Sequence, residues 1–426
     1  MQHAVPDPLD DSDVSSRILL IAASHGFPQT QARLERVEEL SRALAARGAA
    51  VDVLLLAERL LQPFEAERVQ ALKGHARSVC VVEHPAAACR LYRAFLQVGE
   101  RIRLKPRLGG RIHCPSRLRQ EVSLRLAREG CRAVIVRGVH LSSLLSLFPA
   151  WTEKIVDLER VGFAAHTSHA RHGRADELDV FDDAAREISL LSRAGAVLVA
   201  SREEAVLLRE HGFRGDLILT PPAPPGLPSA IPGAPLRPPR ILCVGSDTTA
   251  NLDGIRWFRR QVFPRITGAS PTCRLRLVGE VARHIEPGPG VDRIGWVGKI
   301  EEEYANASVV ALPLRMGSGL HRRAVEALAE GRALATTTTG AMGIRLVAGR
   351  DAIVADDAGD LAVAIGHVLA SDEVRQSLER AALALAAESF TPSHAFRGLV
   401  ERLGLHLSRE RSTGVPAVPA GALVTA

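Results

Sequence analysis

Apolar positions along the chain follow two rhythms. Short unbroken runs, Arg17–Ala22, Val51–Leu56, Val79–Glu83, Ala133–Val136, Lys154–Leu158 and Ala196–Ala200, have the continuity of strands buried on both faces. Between them apolar residues return every three or four positions, as at Leu34, Val37, Leu40 and Leu44. That periodicity predicts helices over Arg33–Gly48, Ser116–Glu129, Asp182–Arg193 and Arg202–His211. Strand and helix alternating at this spacing predict βαβ units in a parallel, doubly wound sheet.

The rhythm breaks at Pro221–Arg240, where proline removes the N–H donors that a sheet or helix needs and leaves an extended connector. A second alternation follows. Strands are predicted at Ile241–Gly245, Leu275–Gly279, Ile294–Val297, Val309–Leu314, Ala333–Thr337 and Ala352–Ala355. Helices are predicted at Asn251–Phe263, Glu301–Ala307, Asp360–Ala370, Val374–Ser389 and Ala395–His406. The expected organisation is a polar N-terminus (1–16), a first Rossmann-like domain (17–220), a linker (221–239) and a second Rossmann-like domain (240–390). A C-terminal helix (391–408) and a tail without periodicity (409–426) close it. Open parallel sheets bind ligands at the carboxyl ends of their strands, so two such halves would face one cleft.

The most informative stretch is Leu312–Gly331, continued by Thr336–Gly343. After the strand at Val309, Gly317-Ser318-Gly319 supplies backbone freedom with no side chain to obstruct a ligand. Ser318 is expected to N-cap a helix whose apolar face is Leu320, Ala324, Ala327 and Leu328 and which Gly331 ends at C′. A strand, a glycine turn and a helix start together make an anion site. His321, Arg323 and Glu326 lie on the opposite face, Glu326 about two turns in at roughly 1.5 Å rise per residue. A diphosphate at the helix start and a ribose diol on Glu326 fit that spacing. Taken singly, the turn reads equally as a tight connection, and Glu326 as an i,i+4 partner of Arg322 or Glu330.

As a whole, the string resembles the donor-site segment of GT-B glycosyltransferases of family 4, the group 1 type. Pro313, Leu314, Arg315, Gly317, Ser318, Gly319, Glu326, Ala327, Leu328, Ala329, Gly331, Thr336, Gly340 and Gly343 stand in register with that pattern. The run Gly245–Phe258 resembles a second family segment, with a helix capped by Asn251 or Asp253 and with Trp257 and Phe258 in the core. The resemblance implies an α/β fold of two Rossmann-like domains facing across a cleft. It implies a retaining transferase that moves a sugar from a nucleotide-diphosphate donor to a glycan, lipid-linked or other acceptor, with no metal and no tightly bound cofactor. It further implies that Arg323, Ser318 and Glu326 carry catalysis. Donor contacts would come from Gly245, Ser246, Arg315, Gly317, Gly319, Glu326, the loop residues His25 and Gly26, and Glu159. Two departures bear on activity: Ser318 stands where many relatives have a glutamate, and Glu159 where they have a histidine. Arg323 replaces a lysine and keeps the charge, with a fork suited to phosphate.

Composition narrows the picture further. The net charge of +6 favours anionic partners, while two tyrosines in 426 residues leave no aromatic interleaving for nucleic acid, so none is expected. Six scattered cysteines without a CxxC argue for free thiols in a reducing cytoplasm and against structural zinc. No run approaches the ~20 apolar residues of a membrane helix, and the start lacks the apolar core of a signal peptide. Asp11–Asp13 and Asp179–Asp183 read as a polar terminus and a helix start rather than as metal sites. Basic residues alternate with apolar ones over 90–119, which suits either a solvated helix face or peripheral contact with an anionic membrane. The competing functional readings are a catalytically inactive relative acting as a partner module, and a nucleotide-sugar epimerase, which the transferase-like donor segment disfavours.

Overall fold

The computed structural model describes residues 16–23, 30–58, 63–84, 114–172, 183–228, 233 and 237–405. His25, Gly26, Asp11–Asp13, residues 179–182, the linker's middle, the tail and most of 90–119, for all of which the sequence carries an expectation, lie outside these residues.

Both apolar series form parallel sheets. The first holds β1 (Arg17–Ala23), β2 (Ala50–Glu58), β3 (Ser78–His84), β4 (Ala133–Arg137), β5 (Glu153–Asp157), β6 (Ala196–Val199) and β7 (Asp216–Leu219), in the order β3-β2-β1-β4-β5-β6-β7. The second holds β8 (Arg240–Val244), β9 (Arg274–Val278), β10 (Val291–Gly295), β11 (Val309–Leu312), β12 (Leu334–Thr336) and β13 (Ile353–Val354), in the order β10-β9-β8-β11-β12-β13. Every strand pair is parallel, in register from Ile18 opposite Val51 to Val310 opposite Leu334. Helices cover both faces, so each sheet lies between two apolar layers: Leu34, Val37, Leu40 and Leu44 pack under β1 and β2, as their spacing predicts.

Several boundaries differ from expectation, each for a local reason. The predicted helix Asn251–Phe263 is an α-helix over Thr249–Trp257, a π turn over Phe258–Val262 and a new helix from Phe263, because Pro264 lacks the N–H that would continue the ladder. Thr248 caps its start, accepting the Asn251 amide at 3.3 Å, so neither Asn251 nor Asp253 is the cap. Trp257 is partly buried and Phe258 fully buried in the second core, as expected. The strand expected at Ile294–Val297 ends at Gly295, whose φ of +78° turns the chain out. After the helix Asp372–Ser389 the chain returns to the first domain, where Ala395, Phe396, Leu399 and Leu403 join the core under β1.

Candidate functional site

The carboxyl ends of β8, β9 and β11 open onto the seam between the two sheets. Gly317, with φ +145°, and Gly319, with φ +72°, hold the loop after β11 out of helical geometry. The helix therefore starts only at Arg322, behind an extended His321 that caps with no side-chain bond, and the expectation that Ser318 is the N-cap is corrected. Gly331, at φ +61°, closes the helix Arg322–Ala329 as predicted.

The displaced start leaves polar groups in waiting. The Ser318 Oγ and the His321 Nε2 are buried without a hydrogen-bond partner. The amides of Ser318, Gly319 and Leu320 make no hydrogen bond among the described residues. Burial pushes His321 down to about 4, so its ring is neutral at pH 7. The Gly317 amide, by contrast, donates to Ser168 Oγ of the first domain at 3.0 Å, and a Cβ on Gly319 would come within 2.2 Å of Glu204 Oε1. The loop thus lies directly against the first domain, with the Ser318 hydroxyl and the Ser318, Gly319 and Leu320 amides unsatisfied among the described residues.

Arg323 and Glu326 follow on the same helix. Arg323 donates to Glu326 Oε2, Arg322 reaches its Oε1 at 2.9 Å, and the Tyr304 hydroxyl donates to Oε2 at 3.1 Å. Of the two i,i+4 alternatives, Arg322 is the partner. Burial alone would raise the Glu326 carboxyl, but the charges of Arg323 and Arg322 hold it below the usual carboxylate range. Burial pushes Glu330 the other way, up to about 7, with the charges of Glu301 and Glu326 adding to it.

A cavity of ≈ 280 Å³ opens beside Arg323. Val244 and Val278 at the ends of β8 and β9, Gly279 and Trp296-Val297-Gly298 wall it from the second domain, and Glu35 and Arg68 from the first. Sequence reasoning missed Trp296, Tyr304, Glu35 and Arg68. The only signal was a tryptophan inside the strand predicted at Ile294–Val297, which the fold leaves half exposed just after β10.

Other expected site residues lie elsewhere. Arg315 is exposed, paired with Asp253 at 2.8 Å and over the Trp257 ring at 5.9 Å, which points it along the Thr249–Trp257 helix rather than at the loop. The Gly245 amide donates to the Val278 carbonyl at 3.0 Å and is not free for a phosphate, which corrects the expectation for that amide. Ser246 is held by the Asn251 side chain through its carbonyl at 3.0 Å. Glu159 is half-buried, 3.8 Å from Arg137, at the end of β5. Asp183 caps the helix Ala184–Leu191 through the Ala185 amide. Among the described residues no group of three or more His, Cys, Asp or Glu side chains is placed to hold a metal, and no helix is long and apolar enough to cross a membrane.

Comparison with known proteins fits this geometry. Residues 238–371 match the family model of Glycosyl transferases group 1. No curated protein matches the chain. Among solved structures, sucrose-phosphate synthase from Thermosynechococcus elongatus is similar over 91% of this chain and 98% of its own, with 19% identity and a TM-score of 0.62. HepE from Anabaena, in complex with UDP-glucose, is similar over 91% and 99%, with 15% identity and a TM-score of 0.60. S. aureus TarM, a G117R mutant solved with fondaparinux, alpha-GlcNAc-glycerol and UDP, is similar over 91% and 99%, with 9% identity and a TM-score of 0.61. Residues 238–371 thus form a domain similar to group 1 glycosyltransferases, and the two parallel-sheet halves share the GT-B fold of these structures.

Proposed function

We propose that this protein transfers a sugar from a nucleotide-diphosphate donor to an acceptor entering from the first domain, with retention at the anomeric carbon and without a metal. The observation that carries the reading is the loop Gly317–His321. Three amides (Ser318, Gly319 and Leu320) and the Ser318 hydroxyl, without partners among the described residues, precede the helix that carries Arg323. Such donors suit a diphosphate better than a protein contact. The nucleoside then occupies the cavity beside Arg323, with its base along Trp296 and the Val297-Gly298 backbone. The UDP-glucose held by the Anabaena relative supports a donor of this class.

The chemistry follows from charge. As the glycosidic bond breaks, the leaving diphosphate gains negative charge, and donors aimed at it stabilise the transition state more than the ground state. Arg323 and the Ser318–Leu320 amides are placed for that work. A carboxylate offers about four lone-pair sites, and the donors Arg322, Arg323 and Tyr304 leave Glu326 one for a ribose hydroxyl. Once Gly317 releases Ser168, its amide joins the set. The Ser318 hydroxyl supplies the contact for which many family members use a glutamate.

Incubation of the protein with UDP-, GDP- and dTDP-sugars tests the reading. Release of the free nucleotide diphosphate with at least one donor is expected. Binding without release in the presence of an acceptor panel would favour the inactive partner module, and binding of none of them would overturn the proposal.

A further inference from the structure

The helix Thr30–Ala45 carries four charged residues that are all buried: Glu35, Arg36, Glu38 and Glu39. This face looks across the seam at the donor helix. Arg322 reaches over it, with Nε 2.9 Å from Glu35 and a terminal nitrogen 2.7 Å from Glu39, while the same Nε lies 2.9 Å from Glu326. Its side chain is 18% exposed and the two first-domain carboxylates 7% and 3%. The chain of charges continues into the first domain. Arg36 pairs with Glu39 at 3.4 Å and Asp157 at 3.3 Å, and donates to the Thr220 carbonyl at 2.8 Å, the last residue before the connector.

We propose that Arg322 is a positioning residue that sets the closed arrangement of the two domains and thereby the fraction of molecules competent to take up donor. The inference rests on the glycosyltransferase reading of the cleft, but its structural half stands without it. The guanidinium places one positive charge between carboxylates on both sides: its Nε–H donates to Glu326, while Glu35 and Glu39 are held by charge alone. No other described side chain ties the donor helix to Glu35 and Glu39 together. Without Arg322, Glu35, Glu39 and Glu326 face one another across the seam with their mutual neutraliser gone, and the domains separate to rehydrate them. Donor binding needs both walls of the cavity, because Glu35 and Arg68 line it opposite Trp296. A donor that selects a closed state of fractional population binds more weakly by that fraction, while turnover at saturation is unchanged.

The test uses the full chain with Arg322→Gln, Arg322→Lys and Glu39→Gln. Small-angle scattering without ligand should show a larger radius of gyration for Arg322→Gln than for the wild type, and a smaller increase for Glu39→Gln. In steady state with the donor that supports transfer, the KM for donor should rise at least fivefold in Arg322→Gln, and in Glu39→Gln, which touches no donor-binding group, it should rise with kcat within twofold. Arg322→Lys should recover most of both. A structural role alone would lower kcat through the active fraction and leave KM unmoved. An unchanged radius of gyration in Arg322→Gln overturns the clasp irrespective of activity, and an unchanged KM with an expanded molecule overturns its link to donor uptake. If Arg322→Gln fails to fold, Glu39→Gln carries the same readouts, with the same results deciding.

Discussion

Two side chains of the donor helix, one turn apart, divide the work between charge and support. Arg323 faces the cavity, while Glu326 is gripped from three sides by Arg322, Arg323 and Tyr304. Arg323→Gln leaves Glu326 with Arg322 and Tyr304, so the fold is retained. Losing a donor aimed at a developing oxyanion costs about 10²–10³ in turnover, and a kcat measurement on Arg323→Gln should show a loss of that order. Glu326→Ala should instead raise the donor KM more than it lowers kcat, and equal small effects of the two substitutions would contradict the division. Gly319 is the second residue with a sharp expectation. At φ +72°, with Glu204 Oε1 in the place of its Cβ, Gly319→Ala meets both strain and a clash, about 1–3 kcal/mol from the backbone alone. Thermal unfolding should fall by several degrees, and combining the change with Glu204→Ala should give less than the sum of the single losses.

At the scale of elements, the donor helix is fixed from behind as well as from the seam. Arg332, fully buried just after it, pairs with Glu379 at 3.2 Å and donates to the Ala305 carbonyl at 2.5 Å, which locks the helix Asp372–Ser389 against the β11 crossover. Breaking a buried pair from one side costs about 3–5 kcal/mol, so Arg332→Ala should unfold in denaturant at a clearly lower midpoint with an unchanged slope. The helix Arg202–Glu210 brings a pH response. Burial pushes Glu204 up to about 7, partly offset by hydrogen bonds from the Ala200 and Ser201 backbone. A carboxyl whose folded value lies above its ordinary one near 4.5 binds more protons when folded, so its contribution to stability is full below about 4.5 and is lost as the pH rises toward 7. Melting temperature followed from pH 5 to 7.5 should therefore fall more steeply for the wild type than for Glu204→Gln, and parallel curves would contradict it. Much of this scale was readable from apolar spacing, because runs such as Ala133–Val136 sit between two helical layers and must be continuous. β7, an edge strand half open to water over Asp216–Leu219, escaped because its apolar run is only Leu217-Ile218-Leu219. The acidic face of Thr30–Ala45 escaped because charged residues at helical spacing look solvated, whereas here Arg322 of the second domain and Arg36 and Arg68 of the first pair them in the buried seam.

Across the whole molecule, the two domains share an ionic seam and line the cavity beside Arg323 together, with the C-terminal segment returned to the first core through Phe396, over whose ring Arg36 lies at 5.0 Å. The strand-turn-helix itself was legible because the glycines, Glu326 and Gly331 sit at fixed spacings along it. The place of the helix start was not, since it depends on Gly317 and Gly319 meeting Ser168 and Glu204 from another domain. A nucleotide diphosphate bridging that seam should bring a ligand-dependent gain in melting temperature, which grows with concentration because binding stabilises the folded state by mass action. The most direct measurement is calorimetric titration of nucleoside diphosphates (UDP, GDP and dTDP) into the wild type and Arg323→Gln side by side. Saturable one-to-one binding of at least one of them to the wild type, weakened tenfold or more in the variant, is the predicted result. Equal affinity for the two proteins, or no binding by the wild type, would contradict the account at its centre.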